Sequence, residues 1–195
     1  MTAAPSLPRG RFVELTVDEL RARLTEALDI YVSAMRYPAG TAEQRAPMWL
    51  AHMLREDWRC VAALDEQDVL LGVSYGYRGG SGQWWHEQVR RGLVSSAGPA
   101  AVESWMTDYF ELTELHVRPD VQGGGIGEGL LRRLLGGVRA RTTLLSTPEG
   151  TSRAWKLYRR VGFVDVLRDY RFTGDPRPFA VLGRGLPMEP PPPRG

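Results

Sequence analysis

The chain has 195 residues and a mass of 21.8 kDa, the size of one domain able to bury a substantial core without disulfides. Hydrophobic residues make up 43% and charged residues 25%, which excludes a wholly disordered chain, and a net charge of +2 offers no basic footprint for nucleic acid. The pI near 8.9 reflects arginine standing in for lysine, since Lys156 is the only lysine.

In chain order, Arg11 to Leu15 reads as a short first strand. Leu20, Leu24, Leu28, Tyr31 and Met35 recur at helical spacing, and the chain turns at Tyr37-Pro38-Ala39-Gly40. A second helix is expected from Ala42 to Arg55, with Trp49 and Met53 on one face. Trp58 to Leu64 and Val69 to Tyr77 are β-type runs separated by Asp65-Glu66-Gln67-Asp68, which predicts a hairpin. Cys60, in the first run, is the only cysteine, so a disulfide framework and a cysteine-ligated metal site within the chain are excluded, and no metal is expected.

Residues 79 to 109 do not continue the sheet pattern. They hold a Gly-rich stretch from Arg78 to Gly82, the aromatic cluster Trp84-Trp85-His86 and a short helix near Ala100 to Asp108, and read as an insertion serving as a lid over a binding site. Glu111 to Val117 is the next strand. It ends in Arg118-Pro119-Asp120, passes Gln122-Gly123-Gly124-Gly125-Ile126-Gly127 and enters a helix whose buried stripe is Leu130, Leu131, Leu134, Leu135 and Val138. Arg132, Arg133, Arg139 and Arg141 read as its solvated face. Arg141 to Thr147 is a strand, Thr151 to Val161 a helix, and Val164 to Phe172 with Phe179 to Leu186 a closing pair. Residues 1 to 187 are taken as one α/β domain and 188 to 195, with Pro190 to Pro193, as an exposed extended tail. The N-terminus carries no long apolar segment, so neither a membrane span nor a signal peptide is expected and a cytoplasmic setting is.

The glycine-rich turn is an anion cradle. A strand-to-helix turn leaves backbone N–H groups without partners and aims them, with the positive end of the helix dipole, at an approaching anion. Three phosphate loops compete for it. The nucleoside-triphosphate loop needs Gly-Lys followed by Ser or Thr, and no lysine is near. A dinucleotide fingerprint fails in register, because Gly123-x-Gly125 is followed by Ile126, Gly127 and Glu128.

What remains is Gln122-x-x-Gly125-x-Gly127 preceded by Leu115-x-Val117-x-Pro119, which resembles motif A of the Gcn5-related N-acetyltransferase (GNAT) family. Thr151-Ser152-Arg153-Ala154-Trp155-Lys156-Leu157-Tyr158, followed by Gly162-Phe163, is similar to that family's motif B. The resemblance covers most of the chain and is weakest over residues 79 to 109. It implies a single-domain GNAT-like fold: a mixed, mostly antiparallel central sheet, splayed between strands 4 and 5 and flanked by helices. It further implies acetyl-coenzyme A as cofactor, bound by Leu115, Val117, Gln122, Gly123, Gly124, Gly125, Ile126, Gly127, Glu128 and Thr151. Thr151 replaces the family's asparagine, and its hydroxyl is expected to cap the helix.

An alkyl amine is almost wholly protonated at neutral pH, and freeing its lone pair costs roughly 4–5 kcal/mol. A base is therefore required, a backbone N–H must meet the oxyanion, and the leaving thiolate benefits from a proton donor. By resemblance the donor is Tyr158, the oxyanion N–H belongs to Val117 or a neighbour, and Glu111, eleven residues before Gln122, is the candidate base. The family's other carboxylate position, on the following strand, is Ser146 here. Glu114 and His116 share one strand face, which makes His116 an alternative base. Trp84, Trp85 and His86, with Tyr37, Trp49 and His52, are the candidates for the acceptor pocket, by stacking and cation–π contact.

The reading is an N-acetyltransferase that moves acetyl from acetyl-coenzyme A to a primary amine by direct transfer; the alternative is a non-catalytic acyl-coenzyme A binding or sensing module. The expected partners are a small-molecule or peptide amine as acceptor and a second copy of the chain as a homodimer, with no nucleic acid and no membrane.

Overall fold

The strands read from β-type runs form, with end shifts of up to two residues. The computed structural model of the chain describes residues 10 to 188; the Pro190 to Pro193 tail lies outside them. The strands are β1 (Arg11–Leu15), β2 (Arg59–Leu64), β3 (Leu70–Arg78), β4 (Tyr109–Val117), β5 (Thr142–Pro148), β6 (Val164–Tyr170) and β7 (Phe179–Gly185). They hydrogen-bond in the order β1-β2-β3-β4-β5-β7-β6. The α-helices are α1 (Val17–Ala22), α2 (Leu24–Met35), α3 (Thr41–His52), α4 (Trp84–Ala97), α5 (Pro99–Met106), α6 (Ile126–Leu135) and α7 (Arg153–Arg160). Among the described residues no helix is long and apolar enough to cross a membrane.

The sheet is mixed. β1 with β2, β2 with β3, β5 with β7 and β6 with β7 pair antiparallel, whereas β4 and β5 pair in parallel. That parallel ladder runs only through Tyr109↔Thr142, Phe110↔Thr143 and Glu111↔Leu144, although β4 has nine residues and β5 seven. The strands are therefore splayed beyond Glu111, which leaves backbone groups of a central strand available to a ligand.

The contacts of the chain gather into two compact units, whose boundaries among the described residues fall inside β3, β4 and α6. Residues 10 to 76 and 114 to 134 form the first. Thr16 opens α1 with a capping box, its hydroxyl accepting from Glu19 N while the Glu19 carboxylate accepts from Thr16 N. Of the helical stripe read from sequence, Leu20, Leu28 and Tyr31 are buried while Leu24 and Met35 are half-buried. α6 buries Leu130, Leu131 and Leu134, and a Cβ on Gly129 would come within 2.3 Å of the Phe12 ring, so bare backbone is what lets β1 lie against this helix. The fit sets the direction in which the N-terminus of α6 points.

Residues 77 to 113 and 135 to 188 form the second unit. Here the structure corrects the reading of residues 79 to 109: the aromatic cluster begins a 14-residue helix, α4, and α5 follows directly. Val89 and Leu93 of α4 and Met106 of α5 pack with Tyr109, Leu144, Leu167, Phe172 and Val181 in one core. Only two aliphatic side chains, one turn apart, mark the buried stripe of α4, and Gly92, Ser95 and Ser96 dilute the helical period around them.

Candidate active site

In the first unit β4 delivers the chain to the glycine-rich turn. Arg118 N donates to Leu71 O at 2.9 Å, and its guanidinium grips Asp120 through two hydrogen bonds of 2.7 and 2.9 Å, holding that carboxyl below its usual range. Gln122 Nε2 donates to Val117 O at 2.9 Å, so the motif glutamine ties the turn back to the strand and fixes its curvature. Gly123 and Gly125 take φ values of 91° and 82°, a region open to glycine at little cost. Gly125 O accepts the first helical bond, from Gly129 N at 3.0 Å, so the N–H groups of Ile126 and Gly127 precede the intrahelical ladder and point out of the helix end.

The turn fits an anion. Gly123, Gly124 and Gly125 are exposed, and nothing lies within 4 Å of where a Gly125 Cβ would stand, so an incoming oxygen can approach the backbone. The arginines of α6 are not the freely solvated face the sequence implied. Arg132 pairs with Glu128 one turn back at 2.9 Å, which occupies the Glu128 carboxylate, and Arg133 lies 4.0 Å over the Phe12 ring. Attraction for a phosphate thus rests on backbone N–H groups and the helix dipole.

In the second unit α7 carries the motif B tyrosine. Its cap is Ser152, whose hydroxyl accepts from Trp155 N at 3.1 Å; Thr151, expected to cap it, lies one residue outside and is exposed. The cap needs extended backbone with its side chain aimed at the third following N–H, and Ser152 holds that position. Tyr158 is 7% exposed, its ring centroid 5.5 Å from that of Phe163, whose N–H donates back to Tyr158 O at 3.0 Å. The Gly162-Phe163 pair of the motif therefore ends the helix and backs the tyrosine ring.

Glu111 sits at the last residue of the β4–β5 ladder, 3% exposed, and Tyr77 Oη donates to its Oε1 at 3.3 Å. Tyr109 Oη lies 3.1 Å from His86 Nδ1, the two rings stacked. Burial, followed by the Glu111 charge, pushes the Tyr109 phenol well up, and burial pushes the His86 imidazole down, so this corner holds a protonated phenol beside a neutral ring. Trp85 Nε1 donates to Ser146 Oγ at 3.1 Å, while Trp84 is 56% exposed with its ring 5.7 Å from Phe172. Of the three aromatic candidates on α4, Trp84 alone is presented to solvent; Trp85 and His86 are tied to the strands beneath them.

The other acceptor candidates gather in the first unit. Tyr31 packs against Tyr37, Trp49 and His116 with centroid distances of 5.3, 5.8 and 4.9 Å, Trp49 stands 5.0 Å from Tyr75, and His52 Nδ1 lies 3.0 Å from Tyr75 Oη. Trp49 is wholly buried, so it supports this cluster from within and cannot line an open pocket. Tyr31 and Tyr75 escaped the sequence reading, Tyr31 because its helical spacing marks it as core. His116 Nε2 and Glu114 Oε2 are 2.5 Å apart, so the strand-face pairing read from their spacing is a hydrogen bond.

The glycine-rich turn before α6, with exposed backbone and positive φ at Gly123 and Gly125, is a site for an anionic group such as a phosphate. A family model described as "Acetyltransferase (GNAT) domain" matches residues 59–165, more than half of the chain. GCN5-like protein acetyltransferase Rv2170 of Mycobacterium tuberculosis is 48% identical over 201 residues, covering 90% of this chain and 98% of that protein. The chain belongs to the GNAT acetyltransferase family, whose acetyl donor is acetyl-coenzyme A. Two solved structures share the fold. PaiA N-acetyltransferase of Thermoplasma acidophilum, in complex with coenzyme A, has a TM-score of 0.59 at 13% identity, covering 91% of this chain and 99% of that one. The Salmonella typhimurium protein YncA, solved with acetyl-CoA as its cofactor, has a TM-score of 0.59 at 15% identity, covering 94% and 98%.

Proposed function

We propose that this acetyltransferase moves acetyl from acetyl-coenzyme A directly to a primary amine. The observation that carries the reading is the Gln122 to Gly127 turn, with left-handed glycines, outward N–H groups and open space at Gly125. When bound, acetyl-coenzyme A supplies an acetyl group already activated as a thioester. The N–H groups of Gly123, Gly124, Gly125, Ile126, Gly127 and Glu128 receive its pyrophosphate, with Gln122 holding the turn in shape. Leu115 and Val117 offer backbone groups to the pantetheine arm, a Val117 N–H or a neighbour meets the oxyanion, and the Thr151 hydroxyl contacts the arm. Tyr158 Oη gives its proton to the departing sulfur, and Glu111 takes a proton from the acceptor nitrogen. Transfer without an acyl-enzyme is supported by Cys60, 2% exposed inside β2, whose thiol burial pushes far up from its ordinary range.

For the acceptor, similarity to the 48%-identical relative, a protein acetyltransferase, supports an amine on a protein or peptide, such as a lysine side chain. In the second unit Trp84, with 56% of its surface exposed, is an aromatic surface available for stacking and cation–π contact, and in the first unit half-buried Tyr37 is another. The reading carries a cytoplasmic setting and no nucleic-acid partner. Calorimetry with acetyl-coenzyme A tests it without knowledge of the acceptor. Micromolar binding that disappears in Gly125→Glu, with release of free coenzyme A thiol on adding lysine-containing peptides, is the expected result. Absence of binding by the wild type overturns it.

A further inference from the structure

Turning an ammonium into an amide removes two protons from the acceptor nitrogen, one before it can attack and one as the amide forms. The departing sulfur takes up only one of them. One proton per turnover must therefore reach solvent, through a group that both holds a proton and touches water. Glu111, 3% exposed and engaged by Tyr77, suits the proton that stays inside.

β4 carries a second proton-holding group. Glu114 and His116 are two residues apart, so both side chains leave the same face of the strand. Their side chains are 12% and 9% exposed, and Glu114 Oε2 meets His116 Nε2 at 2.5 Å. Ser74 Oγ donates to Glu114 O at 2.9 Å and pins the backbone there, while the Tyr31 ring packs edge-on against the imidazole. A carboxylate on Nε2 selects the tautomer with its proton on that nitrogen and leaves the Nδ1 lone pair as a base. Among the described residues no protein group hydrogen-bonds to Nδ1.

We propose that His116, oriented by Glu114, takes the first proton from the acceptor ammonium and passes it to solvent; this rests on the amine-acetylation reading above. The ammonium N–H bond breaks, its electron pair stays on nitrogen, the proton moves to Nδ1, and Glu114 stabilises the imidazolium until water removes the proton. His116 is the catalytic group and Glu114 its positioning residue.

The charged and titratable groups around this corner are Tyr31 from α2 and Tyr37 just after it, Arg45 and His52 from α3, Arg55 beyond it, and Tyr75 from β3. Burial and the Glu114 charge keep Tyr31 protonated, so His52 is the neighbour that changes charge nearest neutrality, and His52→Asn is the control for any pH profile.

The test has two arms. Two-bond 1H–15N spectra of the free protein at about pH 7 should show the His116 ring protonated on Nε2, with Glu114→Gln disturbing that tautomer. A ring that carries its proton on Nδ1 overturns the proposal. Kinetics then compare a lysine-containing peptide, an ammonium at pH 7, with an acyl hydrazide, uncharged at that pH. His116→Gln should lower kcat/KM for the peptide by about 100-fold, recovering as pH rises, with the hydrazide and the KM for acetyl-coenzyme A little changed. Equal losses on both acceptors, or none on either, overturn it. A wild type that acetylates neither acceptor removes the amine-transfer reading itself, and this proposal with it.

Discussion

Tyr77 donates its hydroxyl to Glu111 Oε1 at 3.3 Å inside a site where Glu111 is 3% exposed. A hydrogen bond to a carboxylate stabilises its charged form, so Tyr77 favours the Glu111 carboxylate that can accept a proton. Tyr77→Phe should therefore move the acid limb of the kcat profile to higher pH, since losing the donor favours the protonated carboxyl. Glu111→Gln should lower kcat by about 100- to 10,000-fold with little effect on acetyl-coenzyme A binding. A Tyr77→Phe profile that overlays the wild type shows that the bond does not tune the base.

Tyr158 is held by Phe163 and by its own helix, so removing its hydroxyl leaves the ring packing in place. Tyr158→Phe should keep the melting temperature and the Kd for acetyl-coenzyme A while lowering kcat by about 100-fold. Thiol-release kinetics alongside calorimetry check this, and full turnover in the variant eliminates the acid role.

Two glycines on either side of the α6 N-terminus should fail in opposite ways. Gly125 has φ 82° and nothing within 4 Å of a Cβ, so Gly125→Ala meets backbone strain of roughly 1–2 kcal/mol and intrudes into the space an anion needs. It should weaken coenzyme binding more than it lowers stability. Gly129→Ala drives a methyl to 2.3 Å from the Phe12 ring, an overpacking that costs about 1–3 kcal/mol. Its melting temperature should fall, with coenzyme affinity retained in the fraction that stays folded. Calorimetry and thermal denaturation on the pair separate binding from packing.

The parts legible in the sequence are those whose signal is local. The Gln122 to Gly127 turn is announced by its glycines, since Gly123 and Gly125 take positive φ values that only glycine adopts cheaply, and the β2–β3 hairpin is marked by an acidic turn between β-type runs. Glu114 and His116 were visible as a pair because strand spacing alone puts them on one face. What stayed hidden depends on contacts distant in the chain. Trp85 meets Ser146 sixty-one residues away, and His86 meets Tyr109, so two residues read as pocket candidates also anchor a helix. Trp49 reads as a pocket aromatic by type, yet Tyr31 and Tyr75 enclose it.

The cap of α7 separates stability from ligand contact in neighbouring hydroxyls. Ser152 Oγ accepts from Trp155 N, so Ser152→Ala should cost about 1 kcal/mol and loosen the helix that carries Tyr158. Exposed Thr151 does not perform the capping, and Thr151→Ala should leave the melting temperature unchanged while raising the KM for acetyl-coenzyme A. An unchanged KM removes Thr151 from the coenzyme contacts and leaves the cap assignment standing.

Acid should destabilise the protein through its histidines. Burial pushes the imidazoles of both His52 and His86 below their ordinary value of 6.5, against a smaller upward pull from Glu114 on the first and Glu87 on the second. A ring that binds protons less readily in the folded state lets the unfolded chain take up more protons as pH falls through that ordinary value. Stability is therefore complete above it and is lost progressively below it. Unfolding midpoints in urea should be flat from about pH 8 to 7 and decline toward about pH 5, before carboxylates begin to titrate. His86→Gln should flatten part of that slope even if the loss of its contact with Tyr109 lowers stability at every pH. An unaltered slope in both His86→Gln and His52→Asn would place the acid sensitivity elsewhere in the fold.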